Sequence, residues 1–526
     1  MTSFRRAGFT LLAGTACIAL SACGADDVAS PGTGGNVIIN PAPSPSPSPS
    51  PSPTPTPGVT PASGCPTIAD PQGLTDGGTI TGPTGTYRVC VLPSRINKSI
   101  TLTRIAGLLY QLPGRVDVGT DGGATASAND TNVTLTIEPG VIIYANTGVA
   151  WLAVNRGNKI HAVGTATQPI IFTSRDNVLG LNTDSSSGQW GGVVLMGRAP
   201  VTDCTVAPNA TPGTAQCERQ TEGAVDPAYY GGATPGDSSG EMSFVQIRYS
   251  GYVLSANNEL QSLTLEGVGS GTKLDHIMSF NSSDDGAEFF GGHVNMKHFV
   301  AIGAEDDNLD TDAGVQGKFQ YVLAIQRSGV GDTMIEADSD NSVDGNIPRQ
   351  HTYLSNFTFI QRSTIGSDKA AMLLRGGTDY NMSNGIVISP DYTCLNISRP
   401  ATIQAANGAQ DDLGPPVFQS VVMQCGTPTY LGTNGVTDAQ VKAVFGAGSH
   451  NNSDTFSPTL ANLFMNGAKE AAVAPVDAHA IDAFFDTTDH IGAVRDGNDS
   501  WYAGWTCDSA TANLGNGNSC TSLPTD

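Results

Sequence analysis

Residues 274–297 read LDHIMSFNSSDDGAEFFGGHVNMK, and residues 298–321 read HFVAIGAEDDNLDTDAGVQGKFQY. A shift of 22 residues aligns five chemically similar pairs: His276 with His298, Asp284 with Asp306, Asp285 with Asp307, Glu288 with Asp310, and Gly292 with Gly314. A repeat of this length, made of short apolar runs broken by Gly and Asp, predicts a solenoid in which each coil takes one repeat. Equivalent side chains then stack on adjacent coils, about 4.8 Å apart.

The composition of the whole chain agrees with a turn-rich all-β fold. Its 526 residues include 63 Gly and 32 Pro, and only 14% of them are charged. No long helical periodicity is present. The formal net charge of -23 excludes nucleic acid and anionic lipid as partners recognised by charge. It suits a soluble surface protein, a cation binder or a partner of basic groups.

The N-terminus has the pattern of a targeting segment. Arg5 and Arg6 precede an apolar run, Phe9 to Leu20, that is too short to span a bilayer as a permanent helix. We therefore predict a signal peptide at 1–22, and we expect it to take no part in the fold.

The sequence after the apolar run is Leu-Ser-Ala-Cys-Gly, residues 20–24, and it resembles the lipobox of bacterial lipoproteins. The resemblance implies cleavage before Cys23 and acylation of that cysteine, for example with palmitate. Because Gly24 is not Asp, it also implies an outer-membrane lipoprotein, facing the periplasm or the surface. A plain secretory peptide with an incidental cysteine remains the alternative.

Residues 23–64 form a predicted tether between the lipid and the folded body. Its centre, Pro43 to Pro57, alternates Ser-Pro and Thr-Pro without a break. Such a run forms neither helix nor sheet and extends at about 3.1 Å per residue, so it spans roughly 45 Å. A stiff spacer and a neutral linker are both consistent with this composition.

Eight cysteines remain once Cys17, in the signal, and Cys23 are set aside from the ten in the chain. An even number in an exported protein predicts disulfides. Sequential pairing closes local loops, and it joins Cys65 to Cys90, Cys204 to Cys217, Cys394 to Cys425, and Cys507 to Cys520. Zinc is the alternative, but the chain has no CxxC pair.

The coils extend in both directions from the opening repeat. Residues 134–174 resemble the first coils of bacterial right-handed parallel β-helix proteins. We predict an all-β, right-handed parallel β-helix at 65–429, followed by a mixed, partly helical C-terminal cap at 430–526. Thr437-Asp-Ala-Gln matches a helix capping box. A cap is needed because the open end of a solenoid exposes strand edges.

The stacked acids are the main candidates for function. The predicted metal ligands are Asp284, Asp285, Glu288, Asp306, Asp307, Asp310 and Asp312. Stacked like charges disfavour one another, and hard carboxylate oxygens suit Ca²⁺, which takes 6–8 oxygen ligands. The alternative is that these residues only bond backbone amides in turns. His293 and His298 lack the spacing of metal ligands, and we predict structural or surface roles for both.

Catalysis is the second hypothesis for the same acids. The Asp-Asp pairs resemble those of polygalacturonases, but no Arg-Ile-Lys element follows them. A polysaccharide lyase also needs a basic side chain near the metal. Four residues on later coils could supply it, and all four also suit roles as exposed side chains or partners of the acids: Arg327, Arg362, Lys369 and Arg375. The catalytic candidates are Asp306, Asp307, Asp310 and Arg327, although Arg327 also suits a structural role.

Four longer stretches resemble a group of right-handed β-helix lipoproteins of Gram-negative bacteria with a pectate-lyase-like solenoid. They are NNELQSLTLEGVGSGT, HIMSFNSSDDGAEFFGG, VNMKHFVAIGAEDDNLDTDAG and AMLLRGGTDY, and the WYAGWTC tail adds to them. The resemblance implies fold and location and leaves function open. The leading hypothesis is a non-catalytic binding or scaffold protein whose partner is a glycan or an outer-membrane protein. The alternative is a polysaccharide lyase or glycoside hydrolase.

Overall fold

The computed structural model describes residues 58–255, 258–339 and 344–525, without the side chains of Ser255 and Asn258. The predicted signal peptide, the lipidation site Cys23 and the tether up to residue 57 lie outside this part of the chain. None of the described helices combines the length and apolarity needed to cross a bilayer.

Short strands dominate the described chain. The first half contains Thr75–Gly82 (β1), Gly85–Val91 (β2), Arg95–Ile96 (β3), Ile100–Leu102 (β4), Leu108–Leu112 (β5), Val116–Val118 (β6), Thr134–Ile137 (β7), Ile142–Ala145 (β8), Leu152–Val154 (β9), Lys159–Val163 (β10), Ile170–Ser174 (β11), Val193–Met196 (β12), Arg219–Gln220 (β13), Tyr229–Tyr230 (β14) and Gly240–Arg248 (β15). The second half contains Val253–Ser255 (β16), Asn258–Glu259 (β17), Leu263–Glu266 (β18), Lys273–Phe280 (β19), Ala287–Phe290 (β20), Asn295–Ile302 (β21), Asp310–Asp312 (β22), Gln316–Ile325 (β23), Ile335–Ala337 (β24), His351–Ile360 (β25), Met372–Leu374 (β26), Asp379–Ser389 (β27), Leu395–Ser398 (β28), Val417–Cys425 (β29) and Tyr430–Thr433 (β30). The helices are Arg175–Leu179 (α1), Asp438–Phe445 (α2) and Ala478–Ile481 (α3), with 3₁₀ turns at Pro400–Thr402, Gly408–Gln410 and Glu470–Ala472.

Two long sheets wind along the molecule, and each coil contributes strands to both of them. Sheet 1 has 15 strands, and its main path is β1-β2-β5-β8-β11-β15-β19-β21-β23-β25-β27-β29. Sheet 2 has 11 strands in the order β3-β6-β9-β12-β18-β20-β22-β24-β26-β28-β30. Every sheet pair after the β1–β2 hairpin is parallel in these two sheets. The predicted right-handed parallel β-helix is therefore confirmed.

The 22-residue repeat is the coil repeat. Strands β19 and β21 pair in the register that sets Ile277 beside Phe299, as the sequence alignment requires. Alternation along a strand sends side chains to opposite faces, so Phe289 enters the central core while Phe290 packs outside it against Tyr230. Apolar stacking between coils thus forms the continuous core of the β-helix.

The longest strands of sheet 1 all bend at one equivalent position. This bend ladder consists of Phe244, His276, His298, Tyr321, Asn356, Asn384 and Ser420, each with a φ between 52° and 62°. Left-handed backbone is unfavourable for most residues, and Asn tolerates it best among them. The bend turns these side chains away from the core. On the outer face of sheet 1, another part of the chain packs against them.

The region predicted as a cap has two different roles. Helix α2 begins with the capping box of Thr437 and Gln440, and its Val441 and Phe445 close the open end of the core. Residues 456–525, the C-terminal strap, instead run back along the outer face of sheet 1. The strap docks on the bend ladder: Asn384 Nδ2 donates to Val476 O at 2.9 Å, and Val476 N donates back to Asn384 Oδ1 at 2.8 Å.

The strap continues as far as the early coils. Asn356 Nδ2 donates to His490 O at 2.9 Å. Trp505 is fully buried against Phe244 and His276, and Cys520 O accepts a bond from Arg248 Nη1 at 3.0 Å. All four predicted sequential disulfides are present, and Cys507–Cys520 lies within the strap.

Candidate cation-binding groove

An acidic groove lies on the outer face of sheet 2, where β20, β22 and β24 are neighbours. The register sets Glu288 beside Asp310 and Asp310 beside Glu336, so three carboxylates follow one another across three coils. Two residues further along the same strands, Asp312 lies beside Phe290. The repeat seen in the sequence thus produces a row of acids one strand spacing apart.

The groove has a volume of about 280 Å³ and a strongly acidic lining. It contains all seven predicted ligands, namely Asp284, Asp285, Glu288, Asp306, Asp307, Asp310 and Asp312, and also Glu222, Glu259, Gln261, Glu336, Asp338 and Arg375. Asp306 is exposed at its mouth, whereas Asp285, Glu288 and Asp307 are buried. One arginine is therefore the only basic group in the lining.

Two groups of three carboxylates have the spacing of a cation site. Asp284, Asp285 and Asp306 each place one oxygen within 4.8 Å of the other two, and so do Asp285, Glu288 and Asp310. Asp285 belongs to both groups. Carboxylate oxygens at this separation can share one hard cation such as Ca²⁺.

Backbone amides use only part of the acceptor capacity of the groove. Asp285 Oδ1 accepts a bond from Asp307 N at 2.8 Å, and Asp307 Oδ1 accepts one from Thr333 N at 2.6 Å. These are the turn bonds of the alternative interpretation. Asp285 keeps its second oxygen free of backbone amides, whereas Asp307 also shares a hydrogen bond with the Glu336 carboxyl. Glu288, only 8% exposed, makes no hydrogen bond or ion pair with any described residue. A buried carboxylate without a partner is costly, so turn chemistry alone does not account for it.

The acids raise one another's pKa values. Burial, and then the neighbouring carboxylates, raise the pKa values of Asp285, Glu288 and Asp310 well above their usual range. Burial also raises the pKa of Asp284 to about 7 and that of Asp307 to about 6. Protons and cations therefore compete for these oxygens near neutral pH.

The basic side chains near the groove are already paired. Arg375 lies at one end of it, with Nη2 2.5 Å from Glu336 and Nε 2.7 Å from Asp338. Arg327, a catalytic candidate from the sequence, is not in the groove. It follows the sheet 1 strand β23, and its Nη2 lies 2.6 Å from Glu305. The coil repeat predicts that residues stack, but it does not predict which face of the coil they occupy.

Sequence reasoning missed the third coil of the acidic row. Ile335-Glu-Ala-Asp338 repeats Leu309-Asp-Thr-Asp312 with a spacing of 26 residues, and that pattern could have found Glu336 and Asp338. Glu222 reaches the groove from a turn and Glu259 from the short strand β17, both outside the repeat, and no local pattern predicts them.

A third cluster, Asp275, His276 and His298, also has ligand-like spacing, but it lies in the bend ladder. The two imidazole rings stack with centroids 4.2 Å apart, and both Nδ1 atoms are directed at the same oxygen of Asp275, with His276 Nδ1 at 3.0 Å. Asp275 Oδ1 lies 2.7 Å from His298 Nδ1, and Trp501 covers both rings. The predicted structural role fits the position of His298.

Comparison with protein families gives one match. The family described as "Pectate-lyase like beta helix domain" matches residues 122–506, which include both sheets around the groove and most of the strap. No curated protein and no solved structure matches the chain.

Proposed function

Because the chain belongs to the family of pectate-lyase-like β-helix domains, we propose that it binds an acidic glycan through calcium ions held in the groove. The observation that carries the proposal is the pair of carboxylate trios that share Asp285. Calcium takes 6–8 oxygen ligands, and neither trio can supply that number alone. Coordination positions on the open side of the groove are thus available to water or to a ligand.

The glycan is assigned from charge. A protein with a net charge of -23 repels a polyanion, and an empty acidic groove repels it most strongly. Bound calcium reverses the sign of the local field and offers its open positions to carboxylate groups. The row of acids crosses successive coils, which suits a linear polymer lying along the groove.

Binding is favoured over cleavage because a free base is missing from the described lining. Arg375 is the only basic lining residue, and two carboxylates hold it in place. Those carboxylates raise its pKa, so it is a poor proton acceptor. Its presence beside the acids nevertheless makes a polysaccharide lyase the second candidate, with Arg375 rather than Arg327 as the basic group.

We place the protein at the outer membrane, held by a lipid on Cys23 and set away from the membrane by the Pro-rich tether. The lipobox-like sequence supports the anchor, and the four disulfides suit an oxidising compartment. A lipid at that position is testable by metabolic labelling with a palmitate analogue. A Cys23→Ser chain that still carries the label would remove the anchor from the proposal.

The calcium step is tested by titration calorimetry on residues 56–526, which form one compact unit. Wild type should bind calcium saturably, and Asp285→Asn should weaken binding about tenfold or more because both trios lose a charged ligand. The asparagine oxygen can still accept the bond from Asp307 N, so the turn is kept. Asp391→Asn, an exposed acid far from the groove, is the matched control. Equal affinities in all three proteins would exclude the groove as the calcium site.

The glycan step is tested by co-sedimentation with polygalacturonate, in calcium and in chelator, with a neutral glycan as control. Calcium-dependent retention without shortening of the polymer supports a binding protein. Shortening that Arg375→Gln abolishes would instead support the lyase. If neither polymer is retained while calcium still binds, the glycan is excluded, and a protein partner becomes the better hypothesis.

A further inference from the structure

A second cavity lies on the other face of the β-helix, between sheet 1 and the last turns of the strap. It has a volume of about 180 Å³. Polar groups in its lining include Arg104, Gln168, Arg248, Thr506, Asn518 and Ser519, and none of the described residues that line it is acidic. This is the reverse of the groove on sheet 2, in a chain with 48 acidic residues.

Arg248 is held rigidly in the wall of this cavity and is 2% exposed. Its Nε donates to Gln246 Oε1 at 2.7 Å, and its Nη1 donates to Cys520 O at 3.0 Å and Ser522 O at 2.9 Å. Its Nη2 has no acceptor among the described residues. Burial without a nearby carboxylate lowers the pKa of Arg248 to about 10.

The other buried arginines of the described chain are all paired with a carboxylate. They are Arg156 with Asp121 at 2.6 Å, Arg198 with Asp130 at 2.8 Å, Arg327 with Glu305 at 2.6 Å, and Arg349 with Asp379 at 2.9 Å. Arg248 is the exception within that part of the chain. Because an unpaired buried charge is costly, a negative partner for Arg248 would complete the pattern.

Arg104 adds a second positive charge to the same cavity. It is exposed, and its side chain lies across Gly140, where an added Cβ would come within 2.7 Å of Arg104 Nε. It makes no ion pair with a described residue. The cavity therefore presents one fixed and one movable guanidinium, the group best suited to carboxylate and phosphate oxygens.

We propose that this cavity is an anion-binding site, in which a carboxylate, phosphate or sulfate group lies between Arg248 and Arg104. The site is independent of calcium and of the acidic groove. An oxyanion there accepts hydrogen bonds from the unused Nη2 of Arg248 and links the strap to the early coils.

The test measures thermal unfolding and calorimetric binding of residues 56–526 in chelator, with sulfate, phosphate or acetate against chloride at equal ionic strength. At least one oxyanion should bind saturably in a 1:1 ratio, and Arg104→Gln should weaken that binding about tenfold without changing the melting temperature in chloride. The Arg104 side chain makes no hydrogen bond or ion pair with the described strap residues, although it lines the cavity beside Pro524 and Thr525. Arg362→Gln is the matched control, because Arg362 Nη1 donates to Thr511 O of the strap and the residue does not line the cavity.

Two results would overturn the proposal: melting temperatures that follow ionic strength alone, or Arg104→Gln binding the oxyanion as tightly as Arg362→Gln does. Galacturonate monomer and oligomer, added as further ligands, distinguish a free ion from an acidic group on a glycan. Because calcium is absent throughout, failure here leaves the groove proposal untouched.

Discussion

Both outward faces of the β-helix carry a row of equivalent residues, but one row is covered by the strap and the other is open. On sheet 1, the bend ladder lies under the strap, and Asn356 and Asn384 bond its backbone. On sheet 2, the acidic row faces an open groove, and Glu288 has no partner among the described residues. A covered row with satisfied hydrogen bonds contributes stability. An open row of unsatisfied acidic groups lowers stability and is available to a ligand.

The largest effect is expected from breaking the covered face. Trp505→Ala removes a fully buried ring that packs on Phe244 and His276, and it should lower the free energy of unfolding by about 3–5 kcal/mol. Urea denaturation measures the change. Leu181→Ala, at an exposed position, should have little effect. If Trp505→Ala were equally mild, the strap would not be an integral part of the fold.

The open face should respond most to pH. The folded-state pKa values of Asp284, Asp307 and Asp312 are raised to about 7, 6 and 6. A raised carboxyl pKa gives stability that is complete below the unfolded value, near 4, and is lost as the pH rises through the folded value. In chelator, the protein should therefore lose several kcal/mol between pH 5 and pH 8, at about 1.4 kcal/mol for each unit by which a folded-state pKa exceeds 5.

Saturating calcium should flatten that pH profile, because the cation replaces the protons in the groove. Melting temperatures measured across the range, with and without calcium, give the comparison. A profile that rises with pH in chelator would contradict the raised pKa values.

A smaller change on the covered face concerns Asn384, which exchanges two hydrogen bonds with Val476. Asn384→Ala should cost about 1–3 kcal/mol through the lost bonds and the left-handed backbone. Asn384→Gly loses the same bonds, but glycine adopts the left-handed backbone conformation at this position without strain. The difference between the two variants, measured by denaturant unfolding, separates the strap contact from the bend.

The smallest expected change has the opposite sign. Glu288→Gln replaces a buried carboxyl, whose pKa is raised well above its usual range, with a neutral amide, so in chelator at neutral pH it should stabilise the protein by about 1 kcal/mol, while the stabilisation gained from calcium becomes smaller. Differential scanning calorimetry with and without calcium checks both parts. A variant destabilised in chelator would assign Glu288 a structural role instead.

The sequence contains the repeat, and a repeat is enough to predict which residues stack on one another in adjacent coils. The register of Ile277 with Phe299 and of Glu288 with Asp310 follows from a 22-residue shift. The path of the strap does not follow, because bonds such as Arg248 to Cys520 join residues 272 positions apart and obey no period. The location of Arg327 was missed for a related reason: a coil visits both sheets, and period alone does not separate them.

The return of the strap also changes how the molecule can come apart. A plain solenoid is a one-dimensional array in which end coils can fray while the others persist. Here, Thr525 lines the same pocket as Gly58 and Thr60, so the last described residues lie close to the first. The strap can dock fully only after the coils beneath it have formed, and an end coil can leave only if the strap lifts. We therefore expect the coils and the strap to unfold together rather than coil by coil, with strap docking as a late step of folding.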